Sequence, residues 1–324
     1  MQIGKLKFKM PMLQAALSGY TDRAMRMLAR RFGCELTFSG VMLDKCACHK
    51  SVLRMKNYQI HEDDHPIGGQ LLGTDPKIMA QAAQNFVNQG YDVIDLNFAC
   101  PAPKVLRRGR GGAMLDNPRL VIEIFRAVRD AVNCPLMMKL RIGIDESEAA
   151  REDFWRICED AISGGVDALI VHGRTTSQYF RGKADWSVIE ELKKKYPAAT
   201  IIGSGDLFEA ADIIEKMKIA GIDGVAIARG AIGKPWLFRQ IIDQLEGETE
   251  IYKPDISEQG RIILDHLDML CELYEPKKRV WYFRKFLAHY SKGHAAGRKL
   301  KMELVTAHDE DQLRTAIKKW YDVS

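Results

Sequence analysis

The chain has 324 residues, 46% hydrophobic and 28% charged, with 48 basic against 43 acidic side chains and a formal net charge of +5. That length exceeds one minimal domain and suits a large domain plus a small one with a sizeable core. Seven scattered cysteines speak against a disulfide framework, and the residues after Met1 lack the apolar core of a secretory signal. No apolar run is long enough to span a bilayer, so the cytoplasm is the expected location.

Short apolar runs recur along the chain at residues 12–17, 36–43, 66–73, 92–99, 135–143, 167–174, 200–206 and 224–229. Each is followed by a loop and a helical pattern. Residues 76–89 and 118–132 are examples, the second carrying Leu120, Ile124, Ala127 and Val128 at helical spacing. Strand alternating with helix implies parallel pairing with helices outside. Near-continuous apolar strands such as Asp167-Ala168-Leu169-Ile170-Val171-His172 fit a sheet covered on both faces. Eight such repeats predict an α/β fold of the (β/α)8 TIM-barrel type. An open doubly wound sheet would carry a Gly-x-Gly-x-x-Gly turn after an early strand, and none is present.

The pattern changes after residue 247. Gly247-Glu248-Thr249-Glu250-Ile251-Tyr252-Lys253-Pro254 is polar and ends in proline, as a linker does. Helical spacing dominates from Ser257, and Asp309 stands as an N-cap with Gln312 at the capping-box position. Behind it Leu313, Ile317 and Trp320 make one apolar stripe. The expected division is a barrel over residues 1–247 and a small all-α domain over residues 248–324.

In a barrel of this kind the active site lies where strands meet the loops that follow them. The strand ends collect Gln70, Asn97, Cys100, Lys139, Arg141, His172, Arg174, Ser204, Asp206 and Arg229, an amide-rich and cationic set. It has neither the paired carboxylates of a glycosidase nor a Gly-x-Ser-x-Gly elbow. Cys100 ends the run Asp95-Leu96-Asn97-Phe98-Ala99-Cys100-Pro101, where proline stops the strand. A thiol ordinarily titrates near ~8.5 and so has a proton to donate at neutral pH. Lys139 lies within an apolar strand and must find an anionic or electron-rich partner. Gly203-Ser204-Gly205-Asp206 and Ala228-Arg229-Gly230-Ala231 occupy the last two strand-end loops. Small residues there let backbone N–H groups approach a phosphate, so a phosphorylated cofactor is expected. Cys46-Ala47-Cys48-His49 has no second ligand pair at zinc-finger spacing, and no metal site is expected.

Two segments concentrate basic charge. Lys104-Val105-Leu106-Arg107-Arg108-Gly109-Arg110-Gly111-Gly112 reads as a mobile cationic loop beside the thiol, suited to phosphate contact. Within residues 277–293, Val280, Phe283, Leu287 and Tyr290 share one helical face suited to a core. Lys278, Tyr282, Lys285, His289 and Lys292 share another, where charge interleaves with aromatics as phosphate contact and base stacking require.

Taken together, these motifs resemble those of the dihydrouridine synthases, flavoenzymes that reduce uridine in tRNA. The strongest segments are Ser18-Gly19-Tyr20-Thr21-Asp22, the run ending Ala99-Cys100-Pro101, Met138-Lys139-Leu140-Arg141 and Val171-His172-Gly173-Arg174-Thr175. The two glycine loops and the Ile232-Gly233-Lys234-Pro235-Trp236 that follows the second complete the set. The resemblance implies FMN across the barrel mouth, with Gln70, Lys139 and His172 on the ring or ribityl chain. Ser204, Gly205, Asp206, Ala228, Arg229 and Gly230 would hold the phosphate, and Ala16 and Leu17 would make backbone contacts to the flavin. It further implies Cys100 as general acid to C5 of the uracil, Asn97 as a positioning group, and NADPH as reductant in a separate half-reaction. Arg107, Arg108, Arg110, Arg141 and Arg174, with Lys278, Tyr282, Lys285 and Lys292 of the tail, would face a tRNA whose target base is extruded. No obligate protein partner is called for. This chain has Ala16-Leu17 where the family usually has Pro-Met, and Ser204 where the family has asparagine. A flavin barrel acting on a free pyrimidine or dihydroorotate-like metabolite is the competing reading. The basic tail and the arginine-glycine loop speak against it, because a small substrate needs neither.

Overall fold

A computed structural model describes residues 1–323. The chain opens with an antiparallel hairpin, β1 (Gln2–Ile3) and β2 (Leu6–Lys7). Then come β3 (Met12–Gln14), β4 (Leu36–Phe38), β5 (Met42–Leu43), β6 (Ile67–Leu72), β7 (Val93–Phe98) and β8 (Leu136–Arg141). The last strands are β9 (Ala168–His172), β10 (Ile201–Ser204) and β11 (Gly224–Ile227). Parallel pairing runs β3-β4-β6-β7-β8-β9-β10-β11 and returns to β3, closing an eight-stranded barrel with helices outside; β5 pairs only with β6. Among the described residues no helix is long and apolar enough to cross a membrane.

Local chemistry sets the helix bounds. Asp75 accepts from the N–H groups of Lys77 and Ile78 and caps the helix Pro76–Gln89, which ends on left-handed Gly90. Asn117 caps Pro118–Ala131 in the same way. Two apolar runs are shorter as strands than their hydrophobicity predicts. The first stops at Gln14, because after Ala15 bonds to the Ile227 carbonyl the chain turns, Leu17 giving its N–H to the Thr21 hydroxyl at 3.1 Å. The second splits around Ser39 and Gly40 into β4 and β5. The hairpin, which the sequence pattern did not reveal, closes the lower end of the barrel: Ile3 and Phe8 pack with Leu13, Met137, Ile170 and Ile202.

Beyond the linker, helices Ile256–Leu273, Pro276–Tyr290, Gly297–Thr306 and Glu310–Trp320 share a core that includes Leu267, Phe283, Leu287, Leu304 and Ile317. Asp309 caps the last helix, while Gln312 reaches back to the N–H of His308, one residue earlier than a capping box would place it. The tail seats closely on the barrel. Gly233 has a positive φ of 71°, and a Cβ there would come within 2.6 Å of the His289 main chain.

The loop from Leu17 to Asp22, which forms one wall of the barrel mouth, is clamped from beneath. Arg26, 1% exposed, donates to Asp64, 0% exposed, at 2.9 and 3.1 Å and to the Thr21 carbonyl at 3.4 Å. Removing one member of a buried pair leaves an uncompensated charge. Arg26→Met is therefore predicted to lower unfolding stability by about 3–5 kcal/mol in urea denaturation. A loss below about 1 kcal/mol would show that the pair does not hold the loop.

Candidate active site

Parallel strands point one way, so their C-terminal residues converge on one mouth. There the structure has a cavity with about 900 Å³ of empty space, part of it open to solvent. It is lined by Ala16, Leu17, Gln70, Asn97, Cys100 and Lys139, by Arg141, His172, Ser204, Gly205 and Asp206, and by Ala228, Arg229 and Gly230. These come from seven of the barrel strands or the loops that follow them, which the closed ring brings together.

The floor is a polar chain. Strand register sets Gln70 beside Asp95 and Asn97 beside Lys139. Gln70 Nε2 donates to Asp95 Oδ2 at 2.5 Å, Asn97 Nδ2 donates to Gln70 Oε1 at 2.6 Å, and Asn97 Oδ1 accepts from the N–H groups of Ala99 and Cys100 at 3.1 and 2.9 Å. Lys139 Nζ donates to the Ser204 hydroxyl at 3.4 Å. Burial pushes the Asp95 carboxyl up and the Lys139 ammonium down; each charge favours the other and opposes that effect.

Positive charge dominates the walls. Arg141 is buried, with its guanidinium on the carbonyls of Ala99, Thr175 and Tyr179 at 2.7–2.9 Å. Burial lowers the His172 imidazole to about 2, assisted by Lys139, Arg141, Arg174 and Arg229, so the ring is neutral. Its buried Nδ1 has no protein partner, nor has Asp95 Oδ1. Asp206 is pushed up by burial, but hydrogen bonds from Arg174 and the Ala184 N–H outweigh this and hold it below the usual carboxylate range.

Other residues singled out in the sequence lie away from the cavity lining. Arg174 is 2% exposed and committed to Asp206 at 2.7 Å and to the carbonyls of Arg181 and Gly182. Arg107 and Arg108 are exposed and Arg110 half-buried. Their loop is folded onto the Cys100 main chain: a short helix Pro103–Leu106 precedes it, Gly112 N–H donates to the Cys100 carbonyl at 3.0 Å, and a Cβ at Gly111 would come within 2.8 Å of that oxygen. In the tail, Lys278 and Lys292 are exposed. Tyr282 stacks on Tyr274 at 4.0 Å. Lys285 is turned inward, donating to the Gly19 carbonyl with its ammonium 4.8 Å from the Phe286 ring and 5.4 Å from that of Tyr20. The face read as cationic is thus divided between solvent and the seam with the barrel.

The sequence reading missed Phe180 and Phe208, which line the cavity mouth with Arg229 between them, 4.2 and 5.6 Å from the ring centres. The available signal was an aromatic in each of two strand-end loops. Asp95, in the run before Cys100, carries no motif signal that marks its part in the floor.

Comparison with known proteins agrees with this geometry. The family model described as dihydrouridine synthase (Dus) matches residues 13–321. A probable tRNA-dihydrouridine synthase of Rickettsia conorii is 34% identical over 293 residues, 90% of this chain and 87% of that protein. The tRNA-dihydrouridine synthase B of Shewanella oneidensis is 34% identical over 294 residues, 90% of this chain and 89% of that one. Among solved structures, a 2-naphthoyl-CoA reductase superposes with a TM-score of 0.62 at 16% identity, over 100% of this chain and 69% of that chain. Histamine dehydrogenase from Rhizobium sp. 4-9 gives 0.58 at 15% identity, over 83% and 50%. Those two likenesses show the barrel fold alone. The family model and the relatives extend over nearly the whole chain, and by them the chain belongs to the dihydrouridine synthase family.

Proposed function

We propose that this chain reduces the C5=C6 bond of uridine in tRNA, using FMN and NADPH, as a cytoplasmic enzyme. Residues 1–247 would carry the chemistry and residues 248–324 would receive the RNA. The observation that carries the reading is Cys100 sharing one cavity with Lys139, neutral His172 and the two small-residue loops that end in Asp206 and Gly230.

The residues present fit a phosphorylated flavin. Gly205 and Gly230 line the cavity without side chains, so main-chain N–H groups there can approach an anion closely. Arg229 supplies charge beside Gly230. His172, which lines the cavity, has a buried Nδ1 with no hydrogen-bond partner in the protein. Gln70, Lys139 and His172 would hold the ring and ribityl chain, Ala16 and Leu17 would contact it through the main chain, and Ser204, Gly205, Asp206, Ala228, Arg229 and Gly230 would hold the phosphate. When bound and reduced, the flavin supplies a hydride to C6 of the uracil.

Cys100 gives its thiol proton to C5, so that one hydride and one proton add across the double bond and the thiolate is reprotonated from solvent. Asn97 holds the Cys100 main chain in place for that transfer. Arg141 and Lys139 keep the cavity positive where negative charge develops on the uracil carbonyl. Phe180, Leu17 and the alanines give the cavity apolar walls that would limit water around the reacting atoms. Arg107, Arg108 and Arg110 in the loop after Cys100, and Lys278 and Lys292 on the tail, would meet RNA phosphates.

Cys100→Ala is predicted to keep flavin absorbance and tRNA affinity while single-turnover uridine reduction falls between about 100-fold and 10,000-fold. Undiminished turnover removes Cys100 from the chemistry. The double charge reversal Lys278→Glu with Lys292→Glu is predicted to weaken tRNA binding and to flatten its log–log salt dependence by about 2. An unchanged slope places the RNA on another face.

A further inference from the structure

We propose that Asp95 is a positioning residue for Cys100, acting through Gln70 and Asn97; this rests on the reading of Cys100 as proton donor. A carboxylate accepts hydrogen bonds and donates none. Asp95 Oδ2 lies 2.5 Å from the Gln70 amide, so the Gln70 group facing it is the NH2 and the carbonyl oxygen faces away. That oxygen, 2.6 Å from Asn97, demands the Asn97 NH2 in turn. Asn97 Oδ1 is then left to accept from the main-chain N–H groups of Ala99 and Cys100. The carboxylate therefore sets the polarity of Gln70, and through Gln70 it reinforces the Asn97 orientation that the two main-chain N–H groups also require. A flipped Asn97 would point its NH2 at two N–H groups, leaving both donors unpaired beside the thiol.

The chain matters because Cys100 sits where β7 has left the sheet. Pairing of β7 with β8 ends at Phe98, so the next two N–H groups have no ladder partner and Asn97 supplies one. The carbonyls of the same residues are tied elsewhere, Ala99 to Arg141 and Cys100 to Gly112. The three side chains are 1%, 1% and 5% exposed, which removes water as a substitute partner. A carboxylate is a costly group to bury at an interior strand position, and an aliphatic side chain would fill the barrel at lower cost. Besides facing the Lys139 ammonium, the carboxylate orients the amide chain. The same polarity leaves the second N–H of the Gln70 and Asn97 amides uncommitted, and both residues line the cavity, so the floor offers donors to a ligand's acceptors.

The test compares Asp95→Asn with Asp95→Leu in the full-length protein as purified, reading amide hydrogen exchange at Cys100 by NMR together with kcat and KM for tRNA. Asparagine keeps an acceptor oxygen for Gln70 and leucine does not. In the leucine variant, Cys100 N–H exchange is expected to quicken by about tenfold, with kcat reduced by about tenfold or more and KM within about threefold. The asparagine variant is expected to recover both. Unchanged Cys100 exchange in the leucine variant overturns the proposal, as does an asparagine variant as impaired as the leucine one. If the leucine variant does not fold, Gln70→Met breaks the next link, and unchanged exchange at Cys100 there overturns it equally. The exchange measurement needs no substrate, so a wild-type protein inactive on tRNA would refute the function and leave the positioning result readable.

Discussion

Crowding Lys139, Arg141, Arg174 and Arg229 around one barrel mouth is the constraint to which the rest of the molecule answers. Unpaired, each such charge would cost several kcal/mol on burial. Arg174 is offset by a two-oxygen contact with Asp206, Arg141 by three main-chain carbonyls, and Arg229 by the faces of Phe180 and Phe208. Lys139 has a serine hydroxyl and the charge of Asp95. The same four cations, added to burial, keep His172 neutral. The site is thus positive yet holds a neutral imidazole that takes no proton near neutral pH.

The tail contributes to this site as well as standing beside it. Lys285 reaches from the second tail helix to the Gly19 carbonyl, and Asp22 at the start of the first barrel helix faces it electrostatically. Arg26 and Asp64 hold the other end of that loop through the Thr21 carbonyl. The cavity wall at Leu17 and Ser18 is therefore fixed from the barrel and from the helical tail together.

Much of this was legible in the sequence because parallel barrel strands advertise themselves. Buried on both faces, they appear as apolar runs, and their last residues must share one rim, so Cys100, Lys139, His172 and Arg229 could be grouped before any coordinates. Register across strands is not written in any one strand. That is why the Gln70–Asp95 pairing escaped notice, and why Arg174 could not be matched to Asp206, 32 residues away. A helical wheel separates an apolar from a polar face, yet it does not say whether the polar face meets water or another domain. Lys278 and Lys285 share a face on the wheel; only the first is exposed. The hairpin at the chain start has too few residues to show a period at all.

The central claim, that this cavity reduces uridine in tRNA with Cys100 supplying the proton, is tested most directly by mapping dihydrouridine in tRNA. The comparison is of cells lacking the gene, complemented with either the wild-type chain or Cys100→Ala. Loss of dihydrouridine at a defined set of uridines, restored by the wild type and not by the alanine variant, is the predicted result. An unaltered tRNA profile in the deletion strain would contradict the account.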